Sequence, residues 1–341
     1  MKRKSFLKIF LFCLVILIIL AGSALYLKVS IARHPLKSQD SKIQFTVNSG
    51  EDLNNVIENL KKQNSMRNVY FVKAYIKKNN IKQDVKPGQY SFSENISLEQ
   101  FIRYLNKGIK DDQPVKVVIP EGYDLEHIAA LLEKKGIINK VDFIKSCKEY
   151  SIPDFIKNDP KRKYALEGYL FPDTYEFLKG TEGKEIIDVM LKRFSKVINN
   201  IQIETGKNIN NQDLDKIITM ASIIEKEVDR QDERGKAASV FYNRLKKGMK
   251  LQSCATVLYA LGVHKDKLYY NDLKVNSPYN TYIVNGLPIG PISNPGKECI
   301  KAAINPDNTN YLFFVSKNDG THFFTDNEKK FLEVKKVTQG E

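Results

Sequence analysis

The chain has 341 residues, 42% apolar and 28% charged. That is enough to bury sizeable cores in two or more domains, and it excludes an intrinsically disordered chain. Its 54 Lys and Arg against 40 Asp and Glu give a net charge of +14, which suits an acidic partner: nucleic acid, anionic lipid or an anionic wall polymer. Nucleic acid fits least well, because there is no Trp, no basic motif interleaved with aromatics, and the lysines are spread along helical stretches rather than clustered.

Lys2, Arg3, Lys4 and Lys8 flank an uncharged run of 19 residues, 9–27, about the length of a helix that crosses a bilayer. This predicts a cytoplasmic tail over 1–8, a single transmembrane helix over 9–28, a stalk over 29–41 and an extracytoplasmic remainder. A cleaved signal peptide is the competing reading, since 9–20 fits an h-region and 21–24 supplies small residues; continuation of the run to Leu27 favours the anchor. Cys13 lies inside the run, not at the end of a lipobox. Cys147, Cys254 and Cys299 are widely spaced without a CxxC pair, so neither a disulfide framework nor a zinc site is indicated. A nucleophilic Cys254 would have only His264 near it in sequence.

From residue 42 the apolar spacing alternates between periods of 2 and 3.6. Ile43, Phe45 and Val47 predict a strand, 53–63 and 69–79 two helices, GQYSF a second strand, and SLEQFIRYLNKG a helix stopped at Gly108. PVKVVI then repeats the theme: strand, Pro120-Glu121-Gly122 turn, a helix ending at Gly136 and another over VDFIKSCKEY. Residues 42–110 and 113–158 accordingly resemble two LysM-type glycan-binding modules, with ordinary α+β scaffolding as the alternative. Few aromatics fall in their loops, which weakens the sugar-binding case.

Beyond residue 159 the texture changes. LEGYLFPDTYEF (166–177) is aromatic-rich and too irregular for one element, with Glu167 and Asp173 as acidic residues that could order a cleft wall. Helices are predicted over IIDVMLKRFSKVI, over 214–228 and from about Glu233 to a Gly248 cap; MKLQSCATVLYALG begins extended and becomes helical. YNTYIVNGLPIGPISNPG is a long Gly/Pro-rich loop, a kind that is usually functional. YLFFVSK and HFFT form a hairpin across Asn318-Asp319-Gly320.

In LDKIITMASIIEKEV, at 100° per residue, Leu214, Ile217, Ile218, Ala221, Ile224 and Val228 share one helical arc, and Glu225 falls inside it, roughly 20° from Leu214. Glu227 projects to nearly the opposite side with Lys216 and Ile223, so only one of the two glutamates is expected to be buried. A carboxyl group in an apolar face is costly unless neutral, paired or hydrogen-bonded, and burial moves it towards the behaviour of a general acid. Glu225 is thus the candidate acid; the alternative is a structural glutamate held by Arg230, Arg234 or Arg244. No second carboxylate has comparable standing, Asp229 one turn on reading as solvated or arginine-paired.

ASIIEKEV, VFYNRLKKGMKLQS, SPYNTYIVNGLPIGPISNPG and YLFFVSKNDGTHFFT, with LEGYLFPDTY upstream, together resemble the endolytic murein transglycosylase (YceG-like, or MltG) family across nearly the whole exported part. The resemblance implies a bacterial enzyme held at the cell membrane by one pass. It would cut nascent peptidoglycan strands internally between N-acetylmuramic acid and N-acetylglucosamine and leave 1,6-anhydro ends, with Glu225 as general acid/base. It also implies work beside the cell-wall synthases of elongation or division. Gln252, Ser253, Thr256, Asn280 and Tyr282 are candidate contacts to sugar hydroxyls or N-acetyl groups, His322 a further residue of interest, and Cys254 a departure from the family pattern. No metal or organic cofactor is called for. A lysozyme-type hydrolase and a non-catalytic wall-binding scaffold are the alternatives. The expected fold is α+β: an N-terminal transmembrane helix, LysM-like modules over 42–110 and 113–158, and a mixed catalytic domain over 160–341.

Overall fold

Alternating apolar residues and well-capped amphipathic helices build two units with separate cores in this computed structural model, which describes residues 35–37 and 42–340 except 95, 112, 264, 266 and 267. The first unit runs through Pro114 and includes Leu178–Gly180; the second comprises Val115–Phe177 and Thr181–Glu341. The transmembrane segment read from residues 9–28 and nearly all of the stalk lie outside the described residues. Among the described residues no helix is long and apolar enough to cross a membrane.

In the first unit β1 (Lys42–Val47) and β2 (Gly88–Ser93) pair antiparallel, with Phe45 opposite Tyr90. Helices α1 (Leu53–Lys62) and α2 (Val69–Lys78) lie between them in sequence, and α3 (Leu98–Lys107) follows. The helices start where short polar side chains satisfy their first N–H groups: Asp52 accepts from the Asn55 N–H, and Ser97 and Gln100 form a reciprocal capping box. Phe45, Tyr90, Phe92, Phe101 and Tyr104 form one aromatic core, each ring contributing about 1.5–3 kcal/mol by its burial. The strand–helix–helix–strand order agrees with the sequence.

In the second unit β3 (Pro114–Val118), α4 (Leu125–Lys134) and α5 (Lys140–Glu149) occur in the expected order. Their buried residues Val117, Leu125, Ile128, Leu132 and Phe143 belong to the same core as Leu170, Ile218 and Ile300, so 113–158 has no separate core. The physical reason is that one strand and two helices leave a sheet edge unpaired; β3 finds its partner in β4 (Thr174–Leu178), a strand inside the aromatic stretch that sequence reading left irregular.

The rest is helical around a long loop. α6 (Gly183–Thr205), α7 (Asn211–Glu227) and α8 (Gln231–Lys246) are followed by α9 (Cys254–Leu261), the loop 278–296 and α10 (Lys297–Ile304). A hairpin of β5 (Phe313–Ser316) and β6 (His322–Thr325) then leads to α11 (Glu328–Gln339). The middle of α7 is buried on every side: Ile218, Thr219, Met220, Ala221, Ser222, Ile223 and Ile224 are all withdrawn from solvent, while Lys216 and Lys226 at either end of that stretch are exposed. Reading it as a one-faced helix, with Ile223 and Glu227 outward, is therefore corrected.

Candidate active site

Three segments converge on the C-terminal turn of α7. The loop 278–296 is fastened to α7 through Ser222, whose Oγ accepts from the Ile292 N–H at 3.1 Å while the Ser293 hydroxyl donates to the Ser222 carbonyl. The same loop is fastened to the β3–α4 turn. The Asn294 N–H and side-chain amide both donate to the Tyr123 carbonyl, and the Gly122 N–H donates to the Asn294 carbonyl at 2.9 Å. These bonds carry Gly296 and Glu121 to the carboxylate of Glu225.

Glu225 has a side chain only 7% exposed. Its Oε2 accepts from the Gly296 N–H at 2.9 Å, at the N-cap of α10 where the helix's unsatisfied N–H groups and dipole favour negative charge. Of the three arginines weighed from sequence, Arg234 faces it: Nη2 stands 3.8 Å from Oε1. Arg230 pairs with Asp232, and Arg244 donates to the carbonyls of Leu251 and Leu312. The Arg234 contact is an ion pair beyond hydrogen-bond range, and the buried Nε of Arg234 has no hydrogen-bond partner among the described residues. A structural buried ion pair needs close geometry to offset desolvation; this one is loose. Cys299 is buried beside Glu225; burial first, then that carboxylate's charge and its hydrogen bond to the thiol, push the thiol far up, so it is a neutral donor to Glu225.

Glu121 is the site residue that sequence reading missed. Its Oε2 stands 4.0 Å from the same Arg234 Nη2, with the side chain 48% exposed, so the two carboxylates lie no more than about 8 Å apart. Burial first, then the charges of Glu225 and Glu298, push its carboxyl above the ordinary value against the pull of Arg234. Only the Pro-Glu-Gly turn marked it in the sequence, and a turn is silent about what lies 104 positions away in the chain.

Glu227 is also engaged, contrary to the expectation of a solvent-facing neighbour: its Oε1 accepts from the Ser253 hydroxyl and the Ala255 N–H. Burial pushes its carboxyl up, while these donors and the charges of His322 and Arg244 pull it down. Ser253, Thr256 and Asn280 are buried and bonded to protein groups. Thr256 Oγ lies 2.9 Å from Thr281 Oγ and donates to the Ser253 carbonyl, and the Asn280 amide donates to the carbonyls of Leu273 and Val275. They brace the loop 278–296 against α9. Gln252 is exposed, on a left-handed backbone turn (φ 53°) tied down by its N–H to the Thr281 carbonyl. Tyr282 is half-buried, its hydroxyl 3.2 Å from the Sγ of exposed Cys254.

Glu167 is a buried hub: its carboxylate accepts from the Leu125 N–H, the Tyr259 hydroxyl at 2.9 Å and the Asn294 amide at 3.1 Å. Burial pushes it up to about 8, with the charge of Asp124 adding. Asp173 pairs with Arg193, and Asp229 is exposed. The His322 ring stands 2.8 Å from Glu233, which also accepts the His322 N–H, so this histidine fastens the hairpin to α8.

Comparison with known proteins agrees with this architecture. A model of the YceG-like family matches residues 45–337. An endolytic murein transglycosylase of Bacillus subtilis (strain 168) is 36% identical over 331 residues, 93% of this chain and 90% of its own length. One from Streptococcus pneumoniae (strain R6) is 29% identical across 86% of this chain and 58% of its own length. The crystal structure of a putative YceG-like protein from Listeria monocytogenes shares 35% identity, covering 86% of this chain and 98% of that one, with a TM-score of 0.56. The chain belongs to the YceG-like family.

Proposed function

We propose that the chain is an endolytic murein transglycosylase, anchored in the bacterial cell membrane by residues 9–28, that cuts peptidoglycan strands with Glu225 as its single acid/base. The observation that carries the reading is the environment of Glu225: a carboxyl group withdrawn from water, held by the Gly296 N–H and the neutral Cys299 thiol, with its arginine 3.8 Å away rather than closed on it. The B. subtilis relative is named for this activity.

In the reaction Glu225 gives its proton to the glycosidic oxygen as the bond from that oxygen to the muramic acid C1 breaks. The freed N-acetylglucosamine leaves with a hydroxyl at that oxygen. The carboxylate then takes the proton of the muramic acid C6 hydroxyl, whose oxygen bonds to C1 and closes the 1,6-anhydro ring. Proton and charge balance over the cycle, and no water is consumed. Gly296 N–H steadies the carboxylate in the ionised half of the cycle. Gln252 and Tyr282 contact sugar directly, whereas Ser253, Thr256 and Asn280 act by holding their loop. The first unit, with its strand–helix–helix–strand order, is a LysM-like module that retains strands emerging from the synthases.

A hydrolase is the second reading, favoured by one observation: Glu121 puts a second carboxylate no more than about 8 Å from Glu225, within the range over which glycosidases use two carboxyl groups. The masses of the new ends made from uncrosslinked strands by the purified full-length chain separate the two. Ends lighter by one water than a reducing muramic acid support the transglycosylase; ordinary reducing ends make it a hydrolase. Absence of cleavage by a folded sample returns the scaffold reading. Deleting residues 1–28 should move the chain from the membrane fraction to the soluble fraction; retention in the membrane would overturn the anchor.

A further inference from the structure

The Glu225 cluster holds two carboxylates and one guanidinium, and the geometry shares that guanidinium almost evenly. Arg234 Nη2 is 3.8 Å from Glu225 and 4.0 Å from Glu121, a hydrogen bond to neither. The backbone is shaped around this sharing. Gly296, at φ −73° where any residue is allowed, has its N–H on Glu225 and its Cα against Glu121, so that a Cβ there would overlap the Glu121 carboxylate. Gly122, next to Glu121, sits 3.4 Å from the Glu225 Cγ when given a Cβ, and its N–H is held by the Asn294 carbonyl. The absence of a Cβ at Gly296 leaves room for the Glu121 carboxylate beside Arg234; a Cβ there would turn that carboxylate aside.

We propose that Glu121 is a positioning residue of this site: it draws Arg234 away from Glu225 and, by its own negative charge, opposes ionisation of the acid that must deliver a proton. This rests on the assignment of Glu225 as that acid. A lone Arg beside a buried carboxylate would close to a hydrogen-bonded pair and fix it as an anion, unable to protonate a leaving group. A second carboxylate on the far side of the guanidinium prevents closure, and two like charges with one cation between them favour one bound proton. The groups facing Glu225 are Glu121 from the β3–α4 turn, Arg234 from α8, and Cys299 and the Gly296 N–H from α10. Glu298, also on α10, acts on Glu121, and Lys226 from α7 itself reaches the Gly122 carbonyl at 3.5 Å.

The test is the pH profile of strand cleavage by the full-length chain, wild type against Glu121→Gln, with Glu225→Gln alongside. Removing one charge at this spacing should move the high-pH limb about 0.5–1 pH unit towards acid, so that activity is lost most where the wild type still works. Uniform scaling of the profile, or no change, overturns the inference, because a structural role has no reason to move a limb. If Glu121→Gln is too slow to profile, the 13C carboxyl titration of Glu225 in the two proteins answers the same question. The midpoint should fall with the charge removed, and an unmoved midpoint contradicts the proposal. Activity retained by Glu225→Gln is a different failure, that of the acid assignment itself.

Discussion

Glu167 and Glu225 are both carboxylates withdrawn from solvent in the same unit, tied to the same two segments, and they are finished to different degrees. Glu167 receives donors from α4, α9 and the loop 278–296, and none of its bonds is left to a ligand. Glu225 has one N–H, the weak thiol donor of Cys299 and an arginine held off at 3.8 Å. Burial alone does not distinguish a catalytic carboxyl group from a structural one; the bonds left to be made do. Glu167 assembles the loops, and on the proposed reading Glu225 is the group they present.

The comparison breaks most visibly at the hub. Glu167→Ala strands three buried donors, and we expect it to cost about 3–5 kcal/mol of stability, read as a large drop in the thermal midpoint. A change below about 1 kcal/mol would mean that Glu167 is not the fastener.

The hub also sets a pH dependence. With its carboxyl raised from 4.5 to about 8 in the folded chain, the folded state holds one more proton than the unfolded state between those values. Stability therefore falls as pH rises through that window and levels off above it, at roughly 1.4 kcal/mol per unit as an upper bound. Glu167→Gln should flatten that decline in denaturant melts from pH 5 to 8; an unchanged slope would assign the dependence to other groups.

A smaller effect sharpens the catalytic side. Gly296→Ala should lower strand cleavage about tenfold, an energy of about 1.4 kcal/mol, because its Cβ collides with Glu121. Glu121→Ala in the same chain should remove that penalty, and additive losses in the double-mutant cycle would refute the contact. Smallest of all, Ser253→Ala takes one donor from Glu227 and should cost about 1–2 kcal/mol of stability. Cleavage per folded molecule should stay nearly unchanged; a large loss of turnover at full stability would put Ser253 on the substrate.

Much of this was legible in the sequence where the signal is local. The strand–helix–helix–strand order of residues 42–93, the helix stop at Gly108, the hairpin at Asn318-Asp319-Gly320 and the burial of the Glu225 side chain all follow from spacing and capping chemistry. What failed depends on partners far apart in the chain. Periodicity presumes one buried face, so it sent Glu227 outward from a helix whose middle, Ile218 to Ile224, is enclosed on all sides. Hydroxyls and amides look alike in sequence whether they face sugar or backbone, so the internal roles of Thr256 and Asn280 were invisible. Glu121 was hidden because nothing local joins a turn at 120–122 to the end of α7. β4, α10 and α11 were passed over as short or amphipathic stretches beside louder aromatic and Gly/Pro signals.

The most direct test sets turnover against stability at Glu225. The full-length Glu225→Gln chain should melt within about 1 kcal/mol of wild type, since its amide oxygen can still accept from the Gly296 N–H and only a loose ion pair is given up, yet it should make anhydro-muramic ends at least 100-fold more slowly. A variant that keeps producing those ends at near wild-type rate, or one that loses activity only because it unfolds, would contradict the account.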